Sequence, residues 1–187
     1  MIDDRALVSQ VLSGDRQAFR MLIKQHERLV GHMIARLIDR PEDREELCQD
    51  VFMKVYEKPG EFSFQSKLST WIATIAYRHG INHLRKSRIE ISELPEDGYG
   101  REFFIGGENP EEMLADKQLD EIVFQLIEKL PAQYKAILTL YHVQDMSYPE
   151  IVEITGLPEG TVKSYLFRAR QMLKEKVKTY LGKEEVL

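Results

Sequence analysis

Apolar side chains recur every three or four positions through most of this chain, and few stretches alternate with a period of two. A chain patterned in this way buries one stripe of each successive helix and has little to build a sheet from. Phe19, Leu22, Ile23, Leu29, Met33 and Leu37 fall on one face of a long helix, with Gly14-Asp15 before it as a break and N-cap. Pro41 opens another helix, where a first-turn proline is tolerated, and Pro59-Gly60 ends it. Its apolar face is Leu47, Val51, Phe52 and Val55. The loop EFSFQSK then leads into a helix ending near Arg88, with Leu68, Trp71, Ile72, Ile75 and Ala76 as its inner stripe.

The helical period stops at Ile91–Pro110, which holds four of the eleven glycines and two of the seven prolines. It resumes at Leu119, Ile122, Val123, Leu126, Ile127 and Leu130, continues beyond Pro131 through Ile137, Leu138 and Tyr141, and runs to the C-terminus. The predicted fold is therefore all-α: two small helical domains, residues 1–90 and 117–187, joined by a flexible linker at 91–116. Domains of about 90 and 70 residues should fold separately. Charge divides along the same lines. Residues 1–90 carry 15 basic and 13 acidic side chains, residues 91–130 carry 3 and 11, and residues 131–187 carry 8 and 7. The net charge of −5 thus comes from the middle and does not argue against nucleic-acid binding at either end.

Several classes are disfavoured. One cysteine, Cys48, allows neither a disulfide framework nor a Cys-based zinc site within the chain. No run of about 18 apolar residues occurs, so no membrane insertion is expected. The start, MIDDRALVSQ, lacks the apolar core of a secretory signal, and a cytoplasmic protein is expected.

Near the C-terminus, Ser147-Tyr148-Pro149-Glu150 reads as a capping box opening a short helix, and Gly156 follows it as a C′ residue. The turn LPEG and a second amphipathic helix complete a helix-turn-helix. Val162, Leu166, Ala169, Leu173 and Val177 form the inner stripe of that last helix. Lys163, Ser164, Phe167 and Gln171 lie opposite, flanked by Arg168 and Lys174. Lys and Arg can donate to guanine edges or phosphates, Ser adapts to either, and an apolar ring can meet a thymine methyl. The plainer reading is a solvated face of a helical hairpin with Phe167 packed on a neighbour, but the cap, the glycine turn and the basic face occur together and favour DNA.

The first domain carries a second nucleic-acid signal. Phe62, Phe64, Trp71 and Tyr77 are interleaved with Lys58, Lys67, Arg78, Arg85, Lys86 and Arg88. Aromatic faces stack on unpaired bases while basic groups follow the backbone. Trp71 lies on the inner stripe of its helix. Tyr77 points to the opposite side and is the better stacking candidate. The preceding helix presents Glu46, Gln49, Asp50 and Met53 outward, a face suited to a basic protein partner.

Taken together these residues resemble the extracytoplasmic-function (ECF) group of bacterial RNA polymerase sigma factors over nearly the whole chain. ELCQDVFMKVY resembles the clamp-binding helix, and KLSTWIATIAYRHGINHLRK the segment that opens and reads the minus-ten element. LPAQYKAILTLYHVQDMSYPEIVEITGLPEGTVKSYLFRARQML resembles the minus-thirty-five module. The resemblance implies core RNA polymerase and promoter DNA as partners, with an anti-sigma factor as a further typical partner. It assigns Glu46, Gln49 and Asp50 to the polymerase, and Phe62, Phe64, Lys67, Trp71, Tyr77, Arg78 and Arg85 to minus-ten DNA. Lys163, Ser164, Phe167, Arg168 and Gln171 fall to the minus-thirty-five element. The EFSFQSK loop matches a pocket for a flipped-out base, whose extrusion costs a few kcal/mol. Two positions depart. Arg78 stands where the family often has Asn, and Arg only donates. Lys135 stands where it usually has Arg, implying a phosphate contact without a bidentate fork. The acidic linker, with nine acids and Arg101 between Glu90 and Asp116, would thread a positively charged polymerase channel.

The alternative from the residues is a stand-alone helix-turn-helix regulator, which would bind DNA stably without polymerase. An enzyme is not expected. His79 and His83 are four apart as metal ligands can be, but Gly80 replaces the Glu of the protease motif. No catalytic residue, metal or cofactor is expected.

Overall fold

The computed structural model describes residues 4–92 and 125–184. The acidic segment from residue 93 to 116 and Leu119, Ile122 and Val123 lie outside the described residues. The first half contains α1 (Asp4–Leu12), α2 (Arg16–Leu37), α3 (Pro41–Glu57), a 3₁₀ turn (Pro59–Glu61) and α4 (Leu68–Ser92). The second contains a helical turn at 125–128, then α5 (Ala132–His142), α6 (Tyr148–Thr155) and α7 (Glu159–Glu184). No strand occurs among the described residues.

Helix ends follow local chemistry. Gly14, at φ 86°, turns the chain out of α1, and Asp15 Oδ1 accepts from the amides of Gln17 and Ala18 at 2.7 and 3.2 Å to start α2. Pro41 occupies the first turn of α3. Glu150 closes back on the Ser147 amide at 2.8 Å to complete the capping box of α6. Gly156 ends α6 in the left-handed region, φ 70°, its N–H donating to the Val152 carbonyl at 2.8 Å.

In the first half α2 packs against α1, α3 and α4, burying Leu22, Met33, Ile34 and Leu37. Gly80 sets how closely α4 crosses α2. A Cβ there would lie 2.5 Å from Leu37 Cδ1 and 3.2 Å from Leu37 Cβ. In the second half Ile137, Leu140, Ile151, Ile154, Val162 and Leu166 come together from α5, α6 and α7. The halves, expected to fold separately, share one hydrophobic core, with α5 packed on α2 and α6 on α4. No helix among the described residues is long and apolar enough to cross a membrane.

Candidate nucleic-acid interface

The turn between α6 and α7 is short because the Pro158 carbonyl accepts from both Thr161 and Val162, at 2.8 and 3.0 Å, winding the first turn of α7 directly. Val162, Leu166 and Ala169 are then fully buried against α5 and α6, while Leu173 and Val177 are half-buried. The opposite side of α7 leaves Lys163, Arg168 and Gln171 exposed, Ser164 half-buried, and Phe167 62% exposed. Lys163 Nζ lies 2.6 Å from Glu159, which raises its pKa, and 5.4 Å from the Tyr148 ring centroid. Arg170, also exposed, reaches across to the end of α5, where it bonds His142 Nε2 and covers the Tyr141 ring.

The loop before α4 divides its aromatic residues between anchor and surface. Phe62 is buried, with its ring 5.5 Å from Trp71 and 4.6 Å from Phe64. Phe64 is held at φ 59°, unusual for a bulky residue, and its ring is exposed beneath the Arg5 guanidinium. Beside it opens a cleft of about 550 Å³. Arg5, Phe64, Gln65 and Lys67 line one side, and Glu150 and Glu153 of the second half the other. Trp71 is half-buried, while Arg78 and Arg85 are exposed. His83 faces Asp43 at 3.4 Å.

Two expectations are corrected. Tyr77 points away from the inner stripe of α4, but its ring is buried, because α6 of the second half packs on α4. Burial, then the neighbouring Tyr165, raises its pKa. Lys135 does not offer itself to phosphate. It is 4% exposed, with Nζ 3.3 Å from Glu128 and 3.6 Å from Asp39, and burial lowers its pKa against the pull of Asp39. Two long-range contacts have no local sequence signal: Arg5 meets Phe64, and Glu150, read from sequence only as part of a capping box, also meets Lys67, each more than fifty positions away.

On α3, Glu46, Gln49 and Asp50 are exposed opposite the buried Leu47, Val51 and Val55. Met53 and Tyr56 extend that surface as exposed apolar groups.

Residues 22–89, which span this loop and α3, match the family Sigma-70 region 2, and residues 120–173 match Sigma-70, region 4. An ECF RNA polymerase sigma-E factor of Haemophilus influenzae is 33% identical over 184 residues, covering 94% of this chain and 96% of that protein. That of Escherichia coli is 31% identical over 182 residues, covering 94% and 95%. The chain belongs to the ECF sigma factors. As a sigma factor it directs promoter-specific transcription initiation, and a stand-alone regulator is not favoured. The sigma-factor fold recurs in CnrH, solved with the cytosolic domain of CnrY, at a TM-score of 0.65 and 20% identity, covering 94% of this chain and 97% of that one. It recurs in RpoE from Bartonella quintana, solved with the anti-sigma factor NepR, at 0.65 and 22% identity, covering 86% and 96%. In this sigma factor the exposed face of α7 lies within region 4, and the cleft loop with the polar face of α3 lies within region 2.

Proposed function

We propose that this sigma factor binds core RNA polymerase through Glu46, Gln49 and Asp50 of α3. It captures an extruded minus-ten base at the loop carrying Phe64 and Lys67, with Arg78 and Arg85 on the DNA backbone. It reads the minus-thirty-five element with Lys163, Ser164, Phe167, Arg168 and Gln171 of α7. Residues 1–90 and 117–187 are the two working domains, and 91–116 is the tether between them. The protein acts in the cytoplasm, carries out no catalysis of its own, and has an anti-sigma factor as a further partner, as RpoE of Bartonella quintana has NepR.

The observation that carries this reading is the face of α7. A Phe exposed to 62% among Lys163, Arg168 and Gln171, opposite a fully buried stripe, is costly to solvate and suits a major groove with phosphates and a thymine methyl. Run-off transcription with bacterial core polymerase on a promoter library tests it. Discrete starts that need this protein are expected. Failure to bind core polymerase, or binding without any specific start, overturns the reading.

A further inference from the structure

We propose that Arg5 of α1 is a specificity-determining residue for the extruded minus-ten base, presenting its guanidinium donors over Phe64 to the edge of that base. The inference rests on the base capture proposed above and deepens it.

Helix α1 lies ahead of residues 22–89, the segment that matches region 2, yet it meets the cleft loop at three points. Leu7, Val8 and Val11 are buried, which fixes the helix on the core of the first half. It packs on the 3₁₀ turn at Pro59–Glu61, just before the loop. Asp4 Oδ2 accepts from the Leu68 amide at 3.4 Å, where α4 begins just after the loop. Between these two contacts the Arg5 guanidinium carbon lies 5.3 Å from the Phe64 ring centroid. Helix α1 therefore brackets the loop, and Arg5 reaches its exposed ring.

Phe64 needs such a bracket. A bulky side chain at φ 59° stays there only when its surroundings hold it. Phe62 supplies one neighbour, with ring centroids 4.6 Å apart, and Arg5 supplies another. A guanidinium over a ring is attracted by the ring quadrupole and keeps its planar fork of N–H donors. Arg5 and Phe64 line the same side of the cleft, with Gln65 and Lys67. Lys67 is engaged by Glu150 at 2.9 Å, whereas no carboxylate among the described residues forms an ion pair with Arg5. An aromatic surface and an uncommitted planar donor thus stand together, and an unpaired base is recognised by its face and its edge.

Donor chemistry sets the preference. Arg offers donors only, so it matches an edge with two neighbouring acceptors. Guanine has O6 and N7, and cytosine has O2 and N3. Adenine places its amino group beside N7 and N1, and thymine an N–H between its two carbonyls, so each opposes a donor with a donor. Arg5 therefore favours guanine or cytosine at the extruded position.

The test is run-off transcription with core RNA polymerase on a promoter library randomised across the minus-ten element. The full chain is compared as wild type, Arg5→Ala, Arg5→Lys and Arg16→Ala. Arg16 is exposed on α2 and lies outside the cleft, so its variant controls for the lost charge. Wild type and control should prefer guanine or cytosine about tenfold over adenine or thymine at one minus-ten position. Arg5→Ala should reduce that preference to about twofold while preferences at the other positions persist. Arg5→Lys keeps the charge without the planar fork, and should recover output but not the preference. Arg5→Ala with the preference intact, whether or not total output falls, overturns the inference, because Arg5 then only supports Phe64. Full preference in Arg5→Lys overturns it too, as does a wild type with no such guanine or cytosine position. A wild type without any specific start overturns the proposed function and this inference with it. In the other failures specific starts persist, so the two are distinguishable.

Discussion

Arg168 and Lys163 share the exposed face of α7 but not the same surroundings. Lys163 is held by Glu159, one turn earlier, whereas no described residue forms an ion pair with Arg168. Under the proposed function Arg168 would therefore meet DNA without first giving up a partner. Arg168→Ala should cost about 1–3 kcal/mol on the matched promoter if the guanidinium reads a base edge. The loss should then shrink when that base is changed. If Arg168 touches only phosphate, the loss should be similar on every sequence and the salt slope should fall by about one. Transcription from single-base minus-thirty-five variants separates these outcomes, and no loss on any promoter would remove α7 from the groove. A second residue-scale expectation concerns His26, which is buried on α2 with its Nε2 unpaired among the described residues. Burial lowers its pKa, with Asp4 opposing weakly, so the unfolded chain binds the proton more readily. Stability should rise with pH through this group and fall as pH drops below about 6.5. His32 and His142 are lowered in the same direction, also chiefly by burial. Thermal melts from neutral to mildly acid pH should show a smaller loss for His26→Leu than for wild type. Equal losses would assign the acid sensitivity to the other two.

At the scale of elements, the crossing of α2 and α4 depends on one missing methyl group. Alanine at position 80 would favour the helix by about 1 kcal/mol on propensity alone. Its Cβ would nevertheless meet Leu37, a fully buried side chain, at a distance real Cβ atoms do not occupy. Overpacking costs about 1–3 kcal/mol, so Gly80→Ala should destabilise the protein, as measured by chemical denaturation. A stabilised variant would mean that Leu37 moves aside freely. The cap of α6 has two duties in one side chain: Glu150 closes the first turn and also receives Lys67. Burial alone would raise its pKa, but hydrogen bonds from Ser147 and Lys67 outweigh that and bring it to about 2. Its contribution is present above the usual carboxylate range of about 4 and is lost as pH falls through about 2.

For the whole molecule, the outer side of α3 remains available while the two halves are packed together. Glu42, Glu45, Glu46, Gln49 and Asp50 are all exposed. Asp50→Lys should weaken core polymerase binding about tenfold at low salt, with the difference shrinking as salt screens it. The fold should not change, because Asp50 lies opposite the buried stripe of its helix. Equilibrium binding to core polymerase at two salt concentrations, with circular dichroism as the control for folding, checks this. Unchanged affinity would exclude this face of α3 from the polymerase interface.

The order of helices from α2 onward, the caps at Asp15 and Ser147, the stop at Gly156 and the two faces of α7 are all legible in the amino-acid order, whereas α1 is not. Each follows from contacts three or four residues apart, and those spacings recur wherever an α-helix forms. The family motifs are legible for the same reason, being runs of neighbouring residues. Tertiary structure decided which outward-pointing groups remain accessible. Tyr77 faces away from its own half and is buried by the other, and Lys135 faces Asp39 and Glu128 instead of solvent. Glu150 reaches Thr70 across 80 positions of chain. A helical period specifies the direction of a side chain about its own axis, but not what another helix brings to meet it; that depends on how the two halves pack.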